Sequence, residues 1–446
     1  MGEIKTWHIC LKCTGDAPQF EPRVNTIHAY DMHTYYYCMI QTTSTPVLIA
    51  GGGIGGLTAA LVLARIGQHV TVLEQAAEFG EIGAGIQLGP NIFKMLAYLG
   101  LADKVNAVAY FPPAMGMRDV RTGEQVVRVQ MGDAARAAYN GFAYGVIYRK
   151  DLHDMLLNAC REQPGIALRT SAKFESFTQK ADGVTVQLAN GETLQGAALI
   201  GADGLWSNIR KAIVGDGKPR VSGHIAYRAV LKKEDVPPEL WSDEVQLWGG
   251  EKTHLVTYPL RRGELFNLVA VFHSDKYDEG WDSYGDANEL TERFKDAHPT
   301  VKALLAKINV WKMWVLCDRE PVKNWSQGRV TLLGDAAHPM LQYLAQGAGQ
   351  AIEDAVVLGK ALEHHHGDFA AAFLAYQEKR YLRTARVQLT ARLYGDIYHA
   401  SGATRELRNS MFQNGEDAAG FAGLKWMYGG IDPDNLFTTI SEPNAG

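Results

Sequence analysis

Glycines and one acidic residue early in the chain have the spacing of a dinucleotide-binding site. Gly51, Gly53 and Gly56 fit the pattern GxGxxG, which follows the apolar run Val47–Ala50 and opens a predicted helix. The first glycine permits a tight turn, the second lets the backbone approach a pyrophosphate, and the third lets helix and strand pack closely. Glu74 ends the next predicted strand, where its carboxylate can accept hydrogen bonds from ribose hydroxyls. This combination predicts a nucleotide site more strongly than the glycines alone.

Two other bends carry an aspartate after an apolar strand. Asp203 follows the predicted strand Ala197–Ile200, and an aspartate in that setting is more often a turn residue or a helix N-cap than a ligand-binding group. Asp335 follows Val330–Leu333, at the carboxyl end where open α/β sheets bind ligands. Asp335 could accept hydrogen bonds from a polyol, whereas His338 nearby fits a core or capping histidine better.

A glycine-rich segment soon after Asp335 predicts another helix start, at Gly347 and Ala348. The first N–H groups of a helix have no partner within it, and the helix dipole makes that end positive. These groups could therefore stabilise negative charge on a bound ring. The helix is predicted from about Gln350 to Glu363, and a longer one from about Phe369 to Tyr398.

The composition excludes several functional classes. The 446 residues suffice for two or three packed domains, and the net charge of −5 is spread over both signs. There is no basic surface for nucleic acid or anionic lipid. The apolar stretch Val47–Gly67 contains six glycines and Arg65, so it predicts a strand, turn and helix rather than a membrane span.

The five cysteines are odd in number and widely scattered, which favours reduced thiols and a cytoplasmic location. Cys10 and Cys13 form one CxxC near histidines, but a structural zinc site usually has a second ligand pair. We therefore predict free thiols and no metal. Residues 1–44 lack any sustained periodicity, which predicts either a disordered extension or a start codon placed too far upstream.

The three bends, in this order and spacing, resemble those of the single-component FAD-dependent aromatic hydroxylases, the p-hydroxybenzoate hydroxylase-like group. The resemblance covers roughly residues 46–430. Within the group, the chain is most similar to the 3-hydroxybenzoate 6-hydroxylases. The segments that carry this similarity are Gly80–Pro90, Tyr148–His153, His254–Arg261, Asp318–Pro321 and His338–Ala345. Two features depart from the family: Gln75 stands where many relatives have arginine, and residues 1–44 have no counterpart.

The resemblance implies bound FAD, NADH or NADPH as a transient reductant, and O2 and a small phenolic acid as co-substrates. It implies hydroxylation of 3-hydroxybenzoate para to its hydroxyl, giving 2,5-dihydroxybenzoate. The site residues that it implies, or that the motifs predict, are His254, Tyr258, Gln342 and Tyr144 for catalysis and substrate positioning, and Gly51, Gly53, Gly56, Glu74, Arg149, Asp203, Asp335, Gly347 and Ala348 for the cofactor. His254 is the predicted base for the phenol, because imidazole titrates near neutral pH.

The fold implied is α/β: a Rossmann-like FAD-binding domain of the glutathione-reductase type, an inserted substrate domain with a mixed sheet, and C-terminal helices. The predicted domains are 45–120 with 145–220 and 325–368 for FAD, 121–144 with 221–324 for the substrate, and 369–446 for the helices and tail. The chain has one dinucleotide motif, since Gly83–Leu88 lacks a third glycine. That argues against enzymes with two such folds, and NAD(P)H must bind without a Rossmann domain of its own.

Other interpretations stay open at this point. His254 and Tyr258 alone fit one face of a half-buried strand. The substrate could be salicylate or another phenolic acid, which product analysis would distinguish. The protein could also bind FAD without hydroxylating anything, as a reductase or scaffold. The sequence does not choose between NADH and NADPH, and a homodimer is an expectation from the family alone.

Overall fold

The computed structural model describes residues 45–80, 83–274, 283–413 and 417–437. The predictions for the extension 1–44, including its CxxC, lie outside these residues. So do Glu81, Ile82 and the last residues of the predicted tail.

The strands are short in the first half of the chain and longer in the middle. Their bounds are β1 (Val47–Ala50), β2 (Val70–Leu73), β3 (Gly85–Leu88), β4 (Ala114–Asp119), β5 (Gln125–Gln130), β6 (Gly145–Tyr148), β7 (Ile166–Arg169), β8 (Phe174–Gln179), β9 (Val184–Leu188), β10 (Thr193–Gly196), β11 (Ala198–Gly201), β12 (Arg220–Lys232), β13 (Val245–Gly250), β14 (Thr253–Leu260), β15 (Leu265–His273), β16 (Ser283–Tyr284), β17 (Lys312–Asp318), β18 (Ser326–Gln327) and β19 (Val330–Leu332).

The longest helices lie near the C-terminus. The helix bounds are α1 (Ile54–Arg65), α2 (Pro90–Tyr98), α3 (Ala102–Val108), α4 (Asp133–Ala138), α5 (Arg149–Arg161), α6 (Asn208–Ile213), α7 (Ala287–Arg293), α8 (Pro299–Leu305), α9 (Gly347–His364), α10 (Phe369–Tyr398), α11 (Gly402–Gln413) and α12 (Asp417–Tyr428). Short 3₁₀ turns at Gly334–Ala336 and Gln342–Leu344 connect β19 to α9.

A six-stranded sheet with the order β18-β19-β11-β1-β2-β7 holds the glycine motif. The pairs from β19 to β7 are parallel, and the short β18 is antiparallel to β19. All four residues of β1 are buried, as expected for a parallel strand covered on both faces. Consequently the carboxyl ends of β1, β11 and β19 meet at one edge. The predicted strand–helix–strand unit, β1-α1-β2, is confirmed.

An eight-stranded mixed sheet has the order β16-β17-β12-β15-β14-β13-β4-β5. Its side chains alternate between two cores, as the period of two in a strand requires. Val269 and Val271 of β15 pack with Tyr258 on one face. Leu268 and Phe272 pack on the other face, against α7 and α8. The sheet therefore has a helix-covered face and a second face that is available to line a site.

The strand β4 belongs to this mixed sheet, because it pairs with β13 in parallel and with β5 antiparallel. The predicted boundary at residue 120 thus cuts through the sheet, and a boundary before β4 fits the pairing better. The two flanking partners of β4 are fixed by tertiary packing, which a local pattern does not encode. The division into domains itself stays a prediction.

The two longest helices agree with the prediction. The α10 helix has the predicted bounds, and α9 begins at Gly347, slightly before the predicted Gln350. The stretch Val47–Gly67 forms β1 and α1 as predicted. Among the residues described, no helix combines the length and the apolar composition that crossing a membrane requires.

A fully buried cluster of charges joins α9 to α10. The Arg380 guanidinium donates to Glu353 Oε2 at 2.7 Å and to Asp354 Oδ1 at 2.6 Å. Asp354 Oδ2 in turn accepts the Gly334 N–H at 2.9 Å and contacts His338 Nε2 at 2.6 Å. Charges buried in this way are tolerated because each has a partner.

We expect Arg380→Met to lower the free energy of unfolding by about 3–5 kcal/mol, because two buried carboxylates lose a shared cation. Urea titration followed by circular dichroism measures the change. Val310→Ala, outside the helices, is the control, since an exposed apolar side chain contributes little. Equal stability of the two variants would contradict the role given to Arg380.

Candidate active site

The glycine turn between β1 and α1 is shaped for close approach of a ligand. Gly51 has a φ of +113°, and a Cβ there would lie 2.2 Å from the Ala202 carbonyl oxygen. A Cβ on Gly56 would lie 2.0 Å from the Gly51 carbonyl oxygen, so α1 packs directly on the turn. Gly53 precedes α1 without any side-chain cap. The first N–H groups of α1 are therefore available to phosphate oxygens.

Glu74 lies beside this turn at the end of β2. Its Oε2 accepts the Gly52 N–H at 3.0 Å, and its Oε1 accepts the Ala76 N–H at 2.8 Å. These bonds fix the orientation of the carboxylate while lone pairs remain for ribose hydroxyls. The predicted role of Glu74 is thus compatible with its position.

Asp203 accepts backbone N–H groups at the start of α6, whose N-cap is Ser207, so it has the helix-end role that was the alternative to a binding role. One oxygen, Oδ2, accepts the Asn208 N–H at 2.9 Å at the start of α6. The other oxygen, Oδ1, is buried and has no hydrogen-bond partner among the described residues. Burial raises the pKa of this carboxyl, against the effect of its hydrogen bonds. A buried acceptor without a partner is costly, so Oδ1 suits a donor supplied by a ligand.

One cavity of about 710 Å³ lies between the glycine edge of the parallel sheet and the open face of the mixed sheet. Most of the predicted site residues line this cavity. Those that line it are Gly53, Arg149, His254, Tyr258, Asp335, Gln342, Gly347 and Ala348. Gly51, Gly56, Glu74, Asp203 and Tyr144 do not line it, and they lie behind the lining residues or at the turn.

The mixed sheet supplies the wall with His254 and Tyr258, four residues apart on one face of β14. Burial, with lesser contributions from the charges of His224 and His273, lowers the pKa of His254 to about 3. The imidazole is therefore neutral at physiological pH and has a lone pair to offer. Burial raises the pKa of the Tyr258 hydroxyl, which stays protonated.

Tyr144 does not line the cavity but is hydrogen-bonded to a residue that does. Its buried hydroxyl donates to Gln87 Oε1, and Gln87 lines the cavity. The structure thus assigns Tyr144 a contact with a lining side chain rather than with the cavity itself. Gln87 was not singled out from the sequence, because a glutamine in a short strand carries no distinctive signal.

Arg228 is a lining residue that the sequence analysis missed. Its guanidinium donates to Gln342 Oε1 and lies 5.1 Å from the Trp314 ring centroid. Neither Gln342 nor Trp314 is negatively charged. The Arg228 Nε is buried without a partner among the described residues. Burial lowers its pKa to about 10, so it is still a cation. A basic residue on the inward face of the buried strand β12 was the signal that could have identified it.

The arrangement fits an extended flavin nucleotide. The glycine turn has room only for backbone, Asp203 offers an unsatisfied acceptor, and the N-terminus of α9 faces the cavity beside Asp335. Pattern comparison agrees, because residues 44–390 match the family described as FAD binding domain. The chain belongs to this family, among the single-component FAD-dependent aromatic hydroxylases.

Curated relatives of this hydroxylase span nearly the whole described fold. It is 45% identical over 384 residues to the 3-hydroxybenzoate 6-hydroxylase of Polaromonas naphthalenivorans, covering 86% of this chain and 96% of the relative. It is 44% identical over 382 residues to that of Klebsiella oxytoca, with coverages of 86% and 96%. The crystal structure of Klebsiella pneumoniae HpxO complexed with FAD and uric acid matches with a TM-score of 0.77 and 26% identity, covering 90% of this chain and 98% of that one.

FAD is the cofactor of this hydroxylase, and NAD(P)H is the usual reductant in such enzymes. When bound, FAD takes a hydride from the reductant and activates O2 for transfer of one oxygen atom to an aromatic ring. The protein must hold the flavin, orient the ring and manage protons. The roles of the individual side chains are argued below.

We expect Gly51→Ala to yield hydroxylase that is nearly free of FAD, because the new Cβ would collide with the Ala202 carbonyl at a positive φ. The ratio of absorbance at the flavin band to that of the protein measures FAD content. Gly165→Ala is a matched control, since its Cβ would meet nothing closer than 3.6 Å. A fully yellow Gly51→Ala protein would contradict the assignment of the turn.

Proposed function

We propose that this hydroxylase converts 3-hydroxybenzoate to 2,5-dihydroxybenzoate (gentisate), using NAD(P)H and O2, in the breakdown of aromatic compounds. The main support is that His254, Tyr258 and Gln342 line the same cavity as the first residues of α9. A base for a phenol and a positive helix end for a flavin thus share one cavity. The two relatives at 44–45% identity carry the name of this activity.

His254 is proposed to accept the phenolic proton. Removal of that proton makes the ring carbon para to the oxygen electron-rich, which is where the product hydroxyl is added. A neutral imidazole lining the cavity is suited to this step, because it has a free lone pair at the pH of the cell. Gln342 and Tyr258 are proposed to orient the phenolic oxygen, and Tyr144 to orient Gln87.

Arg228 is proposed to bind the carboxylate of the substrate. It is a half-buried cation beside Gln342, and no carboxylate of the described residues forms an ion pair with it. A bound carboxylate would supply the counter-ion, and charge-assisted hydrogen bonds of this type favour anionic over neutral phenols.

The cofactor roles follow from the positions around the turn. Gly51, Gly53 and Gly56 are proposed to admit the pyrophosphate, and Glu74 to bind the adenosine ribose. The other proposed contacts to FAD are the side chains of Arg149, Asp203 and Asp335 and the backbone N–H groups of Gly347 and Ala348. The helix dipole of α9 would stabilise negative charge on the reduced ring.

Turnover of a panel of hydroxybenzoates tests this function. We expect 3-hydroxybenzoate to stimulate NADH or NADPH oxidation most strongly, with gentisate identified by chromatography and mass spectrometry. Catechol with CO2 release from salicylate would support the alternative substrate. Reductant consumption that no phenolic acid stimulates would contradict hydroxylation altogether.

We expect His254→Ala to lose hydroxylation by roughly 10²–10⁴-fold, since a base that accepts the phenolic proton contributes a factor of that size. Reduction of the flavin by NAD(P)H should change far less, because it needs no proton from the phenol. Stopped-flow absorbance measures flavin reduction, and product analysis measures coupling. If rate and coupling stay normal, His254 is not the base.

Location and assembly stay predictions. Among the described residues, Cys160 is a buried free thiol, which supports a cytoplasmic protein. The homodimer expected from the family is supported by Leu382, Leu389 and Leu393, which leave one side of α10 apolar and exposed.

A further inference from the structure

Three imidazoles are hydrogen-bonded in series beginning at the cavity wall. His254 Nδ1 lies 2.7 Å from His399 Nε2. His399 Nδ1 lies 3.0 Å from His273 Nε2. Each link joins a δ nitrogen to an ε nitrogen, so the series can carry three N–H groups that all point the same way.

The series runs from the protein interior toward its surface. His254 lines the cavity and is 2% exposed, His399 is 8% exposed, and His273 is half-buried at the end of β15. His399 caps the C-terminus of α10 and bridges the strands β14 and β15. Because Nδ1 of His254 is bonded to His399, Nε2 is the nitrogen that can meet a ligand in the cavity.

A solitary His254 would be a weak base, since burial lowers its pKa to about 3. Burial, followed by the charges of His254 and its neighbours, also lowers the pKa of His399. Neither ring can keep an extra proton at neutral pH. A series of rings avoids this cost, because each one gains a proton at one nitrogen as it gives up the proton on the other.

We propose that His399 and His273 carry the phenolic proton from His254 to solvent, an inference that rests on the function proposed above. The phenol O–H bond breaks as an N–H bond forms at His254 Nε2. The proton on His254 Nδ1 passes to His399 Nε2, that on His399 Nδ1 passes to His273 Nε2, and His273 Nδ1 releases one proton to water. One proton enters and one leaves, and no electrons move. The reverse transfer reprotonates the product phenolate and restores the starting tautomers.

The charged groups around the outer end favour a proton path over a metal site. The nitrogens of His224, His273 and His399 lie within 4.8 Å of one another, a spacing that a divalent cation could also use. Burial lowers the pKa of both His273 and His224. The positive charges of Lys252 and Arg293 lower that of His273 further, and Arg220 does the same to His224. The negative charge of Asp396 opposes this effect on His273, and the Tyr343 hydroxyl is hydrogen-bonded to His224. A dication would add to this positive surrounding, whereas the relay leaves all three imidazoles neutral.

His224 provides a matched control within the same cluster. Its ring lies 4.1 Å from that of His273, centroid to centroid, but its Nδ1 is bonded to the Tyr343 hydroxyl. It therefore stands beside the series and not in it. Replacement of His224 removes ring contacts with His273 and His399 without breaking a link.

The test uses the FAD-loaded, full-length enzyme and its variants His399→Gln, His273→Gln and His224→Gln. Glutamine keeps one donor and one acceptor but cannot exchange tautomers. Gentisate formation is measured from about pH 6 to about pH 10, the range below the ordinary pKa of a phenol. We expect His399→Gln to lose roughly 10²-fold at neutral pH and to recover as pH rises, because an ionised phenol needs no relay. His273→Gln should lose less, since water reaches that end, and His224→Gln should keep the pH profile of the unmodified enzyme.

Added imidazole should restore activity to His399→Ala, which a purely structural role would not allow. A His399→Gln profile that matches the unmodified enzyme, or that is lowered equally at every pH together with FAD content, overturns the relay. Stoichiometric zinc that is lost on replacing His224 or His273 overturns it as well. Absence of gentisate from the unmodified enzyme overturns the proposed function first, and the relay with it.

Discussion

The pairing of Arg380 with Glu353 and Asp354 fixes the side of the cavity that is lined by Asp335 and the start of α9. Asp354 belongs to α9, yet one of its oxygens accepts the backbone N–H of Gly334 in the bend that carries Asp335. Burial alone would raise the pKa of this carboxyl, but the charges of His338 and Arg380 hold it at about 2. The ionised group therefore ties helix and bend together at all ordinary pH values. Glu353 likewise accepts from Asn91 of α2 at 2.8 Å, which connects a third element.

The buried charges around Arg380 are separate from the polar groups that line the cavity. These charges have partners on several elements, and they lie behind α9. The cavity is lined by the carboxylate of Asp335 and the Arg228 guanidinium, and burial keeps the His254 imidazole neutral and the Tyr258 hydroxyl protonated. The Arg228 guanidinium is the positive group of this wall with which an anionic ligand could pair.

The sequence was sufficient for the features that depend on neighbouring residues. The turn at Gly51, the strand–helix–strand unit and the bounds of α10 follow from glycine geometry and local periodicity, and the structure confirms them. His254 and Tyr258 could be placed on one face because a strand has a period of two.

What the sequence could not supply depends on contacts between distant segments. Arg228 meets Gln342 across 114 positions, and His399 meets His254 across 145. No local pattern encodes such a distance. The pairing of β4 with β13 was not predicted for the same reason. Asp203 was predicted both as a cap and as a ligand, and only the burial of its second oxygen makes the two compatible.

The order of strands in the parallel sheet has a consequence for synthesis on the ribosome. The central strand β1 is complete early, but β19, next to β11, contains Val330–Leu332. At ordinary translation speeds the exposed apolar edge of β11 waits on the order of ten seconds for its neighbour. The strand β4 waits in the same way for β13, which is synthesised earlier than β19. Chains that end before β19 leave the apolar edge of β11 unpaired and should therefore aggregate rather than fold in part.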